Sequence, residues 1–159
     1  MAEITTLTPS HDHFASLGDF FDRYGYGVFS QTTFAHSFSH PSYGAKLIYD
    51  NSDKSRVPMT GVSIIGAVLY RMLGDEIELI ECATHHAHYR KGIASALLTD
   101  LIVMATTQGH QRLVLEVAET NQAAIGLYQT CGFASVGHRP AYYQQKIDAL
   151  IMELWLSKA

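Results

Sequence analysis

The sequence is poor in several features that would point to particular classes of protein. Its 159 residues contain only 11 lysines and arginines against 15 acidic residues, a formal net charge of −4. This balance offers no basic patch of the kind that binds duplex nucleic acid through its phosphates. No apolar run reaches the roughly 18 residues that a membrane-spanning helix needs. We therefore predict neither a nucleic-acid partner nor a membrane partner.

Cysteine is also scarce, and no targeting signal is visible. Cys82 and Cys131 both lie among apolar neighbours, which favours two free, buried thiols in a reducing cytoplasm; a structural disulfide is the alternative. The opening residues, MAEITTLTPS, have neither the basic segment nor the long apolar run of a secretory signal. Both observations predict a cytoplasmic protein. Hydrophobic residues make up 47% of the chain, which is enough for a core and argues against disorder.

The hydrophobic pattern predicts one α/β domain over residues 1–159, with strands and helices in the order β-α-α-β-β-β-α-β-α-β-β. The expected strands are 3–8, 45–50, 62–73, 76–84 and 112–118, with two closing strands inside 133–143 and 148–156. The expected helices follow Ser10 and Ser30, run from Ile93 to Gly109, and open at Asn121 with Gly132 at the end. The polar stretch 51–61 is expected to form a hairpin loop.

A glycine-containing turn, YRKGIAS (89–95), lies between a predicted strand and the N-terminus of the longest predicted helix. Backbone N–H groups there lack partners within the helix and carry the positive end of its dipole. Gly92 allows the main chain to approach a ligand closely, and Arg90 and Lys91 add positive charge. These features suit a pyrophosphate. The alternative is an ordinary strand-to-helix turn with a solvated basic pair.

Three polar residues stand out in RLVLEVAETNQAAIGLY (112–128). Asn121 and Tyr128 are seven residues apart, about two helical turns, so they lie on the same side of a helix. Asn121 suits an N-cap or an amide ligand, and the Tyr128 phenol could donate a proton to a thiolate. Because side chains alternate along a strand, Glu116 points to the face opposite Leu113, Leu115 and Val117. Glu116 is therefore either an ordinary solvated residue or a general base in a cleft.

His85, His86 and His88 invite a metal site, but they lack a cysteine or carboxylate at ligand spacing. We therefore expect no metal, and contact of one histidine with substrate is the alternative. Tyr142 and Tyr143 suit either a strand core or a ligand surface. Neither cysteine has the polar helix N-terminus that would favour a nucleophile.

Taken together, YRKGIASALL, LEVAETNQAAIGLYQTCGF and RPAYY…DALIMEL resemble the GNAT N-acetyltransferases, and among them the bacterial RimI type, which acetylates a ribosomal-protein alanine. The resemblance runs from about Ile77 to Leu154. It implies a GNAT fold: a mixed, mostly antiparallel twisted sheet with helices on both faces and a splayed V between two central strands. It also implies acetyl-CoA as co-substrate and direct transfer to an amine without a metal.

Carried onto this chain, the resemblance assigns roles residue by residue. Cofactor-binding positions would be Cys82, Ala83 and Thr84 through their backbone, Arg90, Lys91, Gly92, Ile93, Ala94 and Ser95 around the pyrophosphate, and Asn121. Glu116 would accept the proton of the amine, and Tyr128 would donate one to the departing thiolate. Tyr142 and Tyr143 would border the substrate.

Two departures from the family pattern concern the turn and the first half of the chain. Tyr89 replaces the usual Gln or Arg, and Ala94 replaces a glycine, so we expect altered phosphate contacts without loss of function. Val28 and Phe29 replace a common Pro-Trp pair in the region that shapes the acceptor site. The predicted function is acetylation of a protein N-terminus. Acetylation of a small amine or lysine, or a CoA-binding module without turnover, are the alternatives.

Overall fold

The computed structural model describes residues 4–7, 14–26, 36, 38–50 and 63–157. Their elements are strand β1 (Ile4–Leu7), helix α1 (Phe14–Tyr24), strands β2 (Tyr43–Tyr49), β3 (Ile64–Leu73) and β4 (Glu76–Thr84), helix α2 (Ile93–Thr107), strand β5 (Arg112–Ala118), helix α3 (Gln122–Thr130), and strands β6 (Ala134–Tyr143) and β7 (Ile147–Trp155). The predicted cap at Ser10, most of the predicted helix after Ser30, and the loop 51–61 lie outside the described residues.

The described strands form one seven-stranded sheet in the order β1-β2-β3-β4-β5-β7-β6. Every neighbouring pair is antiparallel except β4 and β5, which are parallel. This parallel pair follows from the connection, because a helix-containing crossover through α2 returns the chain to the same end of the sheet. The prediction of a mixed, mostly antiparallel sheet is confirmed.

Helices cover both faces of the sheet, as predicted. On one face, Leu97, Leu98 and Leu101 of α2 pack with Ile125 of α3 in a fully apolar cluster. On the other face, Leu17, Phe20 and Phe21 of α1 form a second cluster with β2 and β3. The spacing of these side chains is helical, so each helix buries one stripe against the sheet. None of the described helices is long and apolar enough to cross a membrane.

The central strands β4 and β5 pair over only part of their length. Their register joins Glu76 with Arg112 through to Leu79 with Leu115, and no pairing follows. Beyond that point β4 remains paired with β3 as far as Thr84, and β5 remains paired with β7 as far as Ala118. The two strand ends therefore separate, and each presents an open edge to the space between them.

A β-bulge lies where the separation begins. In β3 Leu69 pairs with Glu81 and Tyr70 pairs with Leu79, so Ile80 has no partner there. Leu79 belongs to the cluster under α2, whereas Ile80 packs on the cluster under α1, as a strand's alternation requires. The extra residue places Glu81 on the α1 side as well. There the Glu81 carboxylate contacts the segment that follows α1.

Candidate active site

The separated ends of β4 and β5 enclose a cleft with a volume of about 870 Å³. Its walls come from both strand ends, the turn before α2, the first two turns of α3, the segment after α1 and the end of β6. A volume of this order is in the usual range for small-molecule sites. Nine of the sequence-predicted site residues line it: Cys82, Ala83, Thr84, Arg90, Ala94, Glu116, Asn121, Tyr128 and Tyr143.

The wall formed by β4 offers main-chain hydrogen-bonding groups. The N–H of His85 donates to the carbonyl of Ile65 at 2.8 Å, which fixes the phase of the β3–β4 ladder. By the alternation of an antiparallel ladder, the N–H and C=O groups of Cys82 and Thr84 then point away from β3. Because β5 does not pair there, these groups face the cleft and are available to an extended amide.

The turn before α2 contains two residues in the left-handed region, Arg90 at φ 60° and Gly92 at φ 78°. Gly92 is the N-cap of α2 and supplies no side-chain hydrogen bond to the first helical turn. The N–H groups of that turn are thus left for a ligand or water. A Cβ placed on Gly92 would meet nothing within 4 Å, so the backbone is open on that side.

The side chains of Arg90 and Ala94 reach the cleft wall, but four other predicted residues of the turn do not. Lys91, Gly92, Ile93 and Ser95 are absent from the lining. The Ile93 side chain packs on the core instead, close enough to Gly66 that a Cβ there would collide with it. These four residues could contribute to binding an anion only through their main chain or, for Lys91, through a rearranged side chain.

Asn121 and Tyr128 lie on the same side of α3, as predicted. The Asn121 side chain caps the helix by accepting from the Ala124 N–H at 3.2 Å, and it also lines the cleft. Tyr128 is 7% exposed. Burial raises its pKa well above 10, and nearby charges, including those of Cys82, Tyr143 and Glu81, add to the effect. The phenol therefore keeps its proton at neutral pH.

Glu116 reaches the cleft from β5 and is already engaged. Its Oε1 forms an ion pair with Nη1 of Arg139 on β6 at 2.8 Å. The guanidinium also stacks over the Tyr142 ring at 5.0 Å. Tyr143 donates its hydroxyl to the main-chain carbonyl of Glu116 at 3.1 Å. Strand β6 thus holds both the carboxylate and the backbone at this position.

Tyr142 lies at the rim of the site, outside the cleft lining, and Tyr143 lies inside it. Their rings contact each other at 5.0 Å, and Tyr143 contacts the ring of Tyr26 at 5.5 Å. The three tyrosines form a row that joins the end of β6 to the segment after α1. Burial raises the pKa of Tyr143 to about 12.

A second carboxylate, which sequence reasoning missed, lines the same cleft. Glu81 on β4 is 5% exposed, and its Oε1 accepts the Tyr26 N–H. Its Oε2 is buried without a hydrogen-bond partner among the described residues. Burial raises the pKa of Glu81 to about 7. One signal was available: Glu81 follows Ile77 and Leu79 in the apolar phase of EIELIECAT, where a carboxylate is costly.

The two cysteines are free, as the favoured interpretation predicted, but both residues are partly exposed and not fully buried as expected. Burial raises the pKa of the Cys82 thiol to about 12, with Cys131 and Glu81 contributing. A thiol in that state is a poor nucleophile, because the thiolate is the reactive form. The cleft therefore favours direct attack by a substrate over an acyl-cysteine intermediate.

The rings of the three histidines pack against one another, with His85 and His86 stacked and His88 edge-on to His85, and they form no metal-binding group. His85 accepts from the Ala87 N–H at 3.2 Å, and its ring stacks on His86 at 4.5 Å. Among the described residues no cluster of His, Cys, Asp and Glu could hold a metal ion. His86 lines the cleft, so contact between a histidine and substrate stays a prediction.

Comparison with known proteins places this architecture in a family. Residues 15–133 match the family model described as acetyltransferase (GNAT) family. The [ribosomal protein bS18]-alanine N-acetyltransferase of Escherichia coli K12 is 38% identical over 86 residues. That match spans 52% of this chain and 58% of the relative, so the chain spans less than two thirds of that relative's length.

Solved structures extend the likeness over the whole sheet. The crystal structure of the ribosomal-protein-S18-alanine N-acetyltransferase from Escherichia coli has a TM-score of 0.83 at 27% identity, covering 100% of this chain and 96% of that one. The NatC complex bound to Gag peptide and CoA has a TM-score of 0.76 at 19% identity, covering 98% and 99%, and shows the fold alone. With the family model matched over most of its length, the chain belongs to the GNAT acetyltransferase family.

Proposed function

We propose that this protein transfers an acetyl group from acetyl-CoA to the α-amine of a protein N-terminus, with a ribosomal protein as the leading target. The observation that carries the proposal is the cleft between the separated ends of β4 and β5, with a phenol and carboxylates in its walls. The names of the relatives support the reaction and the target. The CoA in the NatC structure supports the donor.

The cleft offers complementary groups along the length of acetyl-CoA. The main chain at Cys82, Ala83 and Thr84 would bind the amide arm and the acetyl group. The first turn of α2, with Arg90, would receive the pyrophosphate on N–H groups that no side chain caps. Asn121 would add an amide contact from α3. No metal is needed, because main-chain donors and a strand N–H facing the thioester oxygen can stabilise the oxyanion.

The chemistry is direct transfer. The amine nitrogen attacks the thioester carbon, a C–N bond forms, and the C–S bond breaks as the oxyanion collapses. In this proposal Glu116 accepts the proton that the nitrogen loses, and Tyr128 donates one to the sulfur. Each role contributes roughly 10²–10⁴-fold in comparable enzymes. Tyr142 and Tyr143 would border the peptide.

An α-amine suits this site better than a lysine. Its pKa is about 8, against about 10.4 for lysine, and the difference is worth about 3.3 kcal/mol in deprotonation. Carboxylates without a stronger base are sufficient for the first amine and poor for the second. A protein N-terminus is therefore the acceptor that the chemistry favours.

The deciding experiment measures CoA release from acetyl-CoA with peptides that differ only in their first residue. The controls are the same peptides with a blocked N-terminus, a peptide carrying only an internal lysine, and a polyamine. We expect turnover that requires the free α-amine and depends on the first residue. Faster turnover of the lysine peptide or the polyamine would replace the proposed acceptor. Binding of acetyl-CoA without any turnover would support the non-catalytic alternative.

The cofactor half of the proposal is tested by two glycines at opposite ends of α2. Gly92 and Gly109 have nearly equal φ values, 78° and 80°, and a Cβ on either meets nothing within 4 Å. Alanine at either place should therefore cost a similar amount of stability, about 1 kcal/mol. We expect Gly92→Ala alone to weaken acetyl-CoA binding, by at least about 5-fold in calorimetry. Equal binding by the two variants would show that the turn is an ordinary connection.

A further inference from the structure

The most unusual side chain in the cleft is Glu81. It is more than nine-tenths buried, lines the cleft, and has one carboxylate oxygen without a hydrogen-bond partner among the described residues. An unpaired buried carboxylate is costly, and a glutamine could accept the same Tyr26 N–H without that cost. Stability alone therefore gives no reason for an acid at this position. This points to a functional role for the carboxylate oxygen that has no partner.

The backbone around Glu81 fits closely over the carboxylate. The segment after α1 passes so near that a Cβ on Gly25 would collide with Oε1 and lie 2.8 Å from Cδ. The bulge at Ile80 keeps Glu81 on this side of the sheet. The carboxylate is thus fixed between β4 and the segment after α1, with Oε2 as its unoccupied atom.

Tyr128, Glu81 and Glu116 line the same cleft, but the two carboxylates act on different tyrosines. The charge of Glu81 contributes to the raised pKa of Tyr128, whereas Glu116 acts on Tyr142 and Tyr143. Glu116 also has one oxygen taken by Arg139. Of the two carboxylates, Glu81 is the one with an oxygen that has no partner among the described residues, and it lines the same cleft as the phenol assigned to the leaving sulfur.

We infer that Glu81 is a second catalytic carboxylate, which takes the proton that an incoming ammonium must lose before it can attack the thioester. The N–H bond of the ammonium breaks, its proton moves to the Glu81 carboxylate, and the nitrogen lone pair becomes free. After C–N bond formation the nitrogen loses a further proton to Glu116, and the sulfur gains one from Tyr128. Glu116 then passes its proton to the Tyr128 phenolate, and Glu81 returns its proton to solvent, so both groups are restored and each turnover releases one proton overall. The inference rests on the proposed function.

The surroundings of Glu81 suit this role over the neutral range. A raised pKa of about 7 lets the carboxylate be ionised when it receives an ammonium and still hold the proton afterwards. The ionisable groups that line this cleft from the neighbouring elements are Arg23 and Tyr24 at the end of α1, Tyr26 in the segment after α1, Cys82 on β4, Glu116 on β5, Tyr128 on α3 and Tyr143 on β6. His86, Tyr89 and Arg90 line it from the turn before α2.

The test compares Glu81→Gln with Glu78→Gln across pH. Glu78 lies on the same strand, outside the cleft, and pairs with Arg71 at 2.6 Å. With an N-terminal peptide as acceptor, we expect kcat/KM of Glu81→Gln to fall at least about 10-fold at pH 7. The loss should shrink towards pH 9, where an α-amine is already neutral. Glu78→Gln should follow the wild type, and acetyl-CoA affinity should change less than about 2-fold.

A second measurement follows the carboxyl itself, with ¹³C-labelled glutamate and NMR on the acetyl-CoA-free protein. We expect one carboxyl to titrate near pH 7 and to be missing in Glu81→Gln. A pH-independent loss of kcat/KM, or no carboxyl titrating above pH 6, would overturn the inference. If the wild type acetylates no amine, the proposed function fails and the catalytic role fails with it, whereas turnover with an unchanged Glu81→Gln profile would reject only Glu81.

Discussion

Strands β4 and β5 begin as a paired parallel ribbon and end as two different walls of one cleft, and each end carries a glutamate. Glu81 on β4 is 5% exposed with an unpaired oxygen, and Glu116 on β5 is held by Arg139. The strands and residue types are alike, so the difference comes from what faces each glutamate. The first is buried and accepts one N–H, whereas the second contacts an arginine and the tyrosine row.

The two environments suit two different proton-transfer steps, which a single carboxylate would serve poorly. A carboxylate tied to a guanidinium keeps a fixed orientation, which suits it to take the later proton from a nitrogen that is already held in place. An unpaired buried carboxylate releases and binds a proton near neutrality, which suits proton transfer. An amine that arrives protonated must lose two protons in forming an amide, so two carboxylates at one cleft have a chemical use.

The largest expected difference between Glu81 and Glu116 is in their effect on the free energy of unfolding. The folded pKa of Glu81, about 7, lies above its ordinary value of 4.5, so the folded state binds the proton more tightly than the unfolded state. The contribution of Glu81 to stability is then most favourable below about pH 4.5 and becomes less favourable by about 3 kcal/mol as pH rises to 7. Glu81→Gln removes this penalty, so its thermal midpoint should exceed that of the wild type at pH 8 and match it at pH 4.5.

The matched control for this melt is Glu116→Gln. Because Glu116 is partly exposed and paired with an exposed arginine, its loss should change the free energy of unfolding by less than about 1 kcal/mol at either pH. A wild type as stable as Glu81→Gln at pH 8 would mean that Glu81 has a partner in solution. Glu81 and Glu116 would then both be paired carboxylates, and the contrast between them would disappear.

The sequence predicted the strands well, because their signals are local. The bounds of β4 and β5 match the predicted 76–84 and 112–118. Alternation along β5 correctly separated Glu116 from the buried Leu113, Leu115 and Val117. Gly109 and Gly132 both have the positive φ expected just past the end of a helix. The family resemblance, confirmed by the family match, supplied the splayed arrangement of the central strands.

The environment of the two glutamates could not be read from the sequence in the same way. The bulge at Ile80 is a pairing irregularity between β3 and β4, and it leaves no local mark in EIELIECAT. Arg139 meets Glu116 only because β6 and β7 fold back beside β5. The contact between Glu81 and Tyr26 joins residues 55 positions apart. Such long-range contacts decide whether a carboxylate is free or paired, and local sequence patterns do not encode them.

The next largest effect is expected on turnover, from a change at Tyr128 in the cleft lining. Tyr128→Phe removes the proton donor but keeps the ring that packs on Phe133 at 5.9 Å. We expect turnover to fall at least about 10-fold while acetyl-CoA affinity stays nearly unchanged. Tyr70→Phe is the control, because Tyr70 is equally buried and its hydroxyl contacts Met104 outside the cleft. Unchanged turnover in Tyr128→Phe would remove this phenol from the mechanism.

The smallest effect is expected at Arg139, whose side chain is 54% exposed. Arg139→Leu frees the Glu116 carboxylate and removes the stacking on Tyr142, so we expect kcat/KM to fall by about 2- to 5-fold, mainly through KM. Stability should change by less than about 1 kcal/mol. Arg112→Leu is the control, because Arg112 forms ion pairs with Glu76 at 2.6 Å and with Glu153 at 2.9 Å and stacks on Trp155 outside the cleft.

A large fall in kcat for Arg139→Leu would reverse the comparison between Glu81 and Glu116. It would mean that the orientation of Glu116, and not the free oxygen of Glu81, limits proton removal. A KM effect alone fits an arginine that positions the acceptor beside the tyrosine row, because binding is then lost without loss of transition-state stabilisation. The ratio of the kcat losses in Arg139→Leu and Glu81→Gln therefore measures how far the chemistry depends on each strand end.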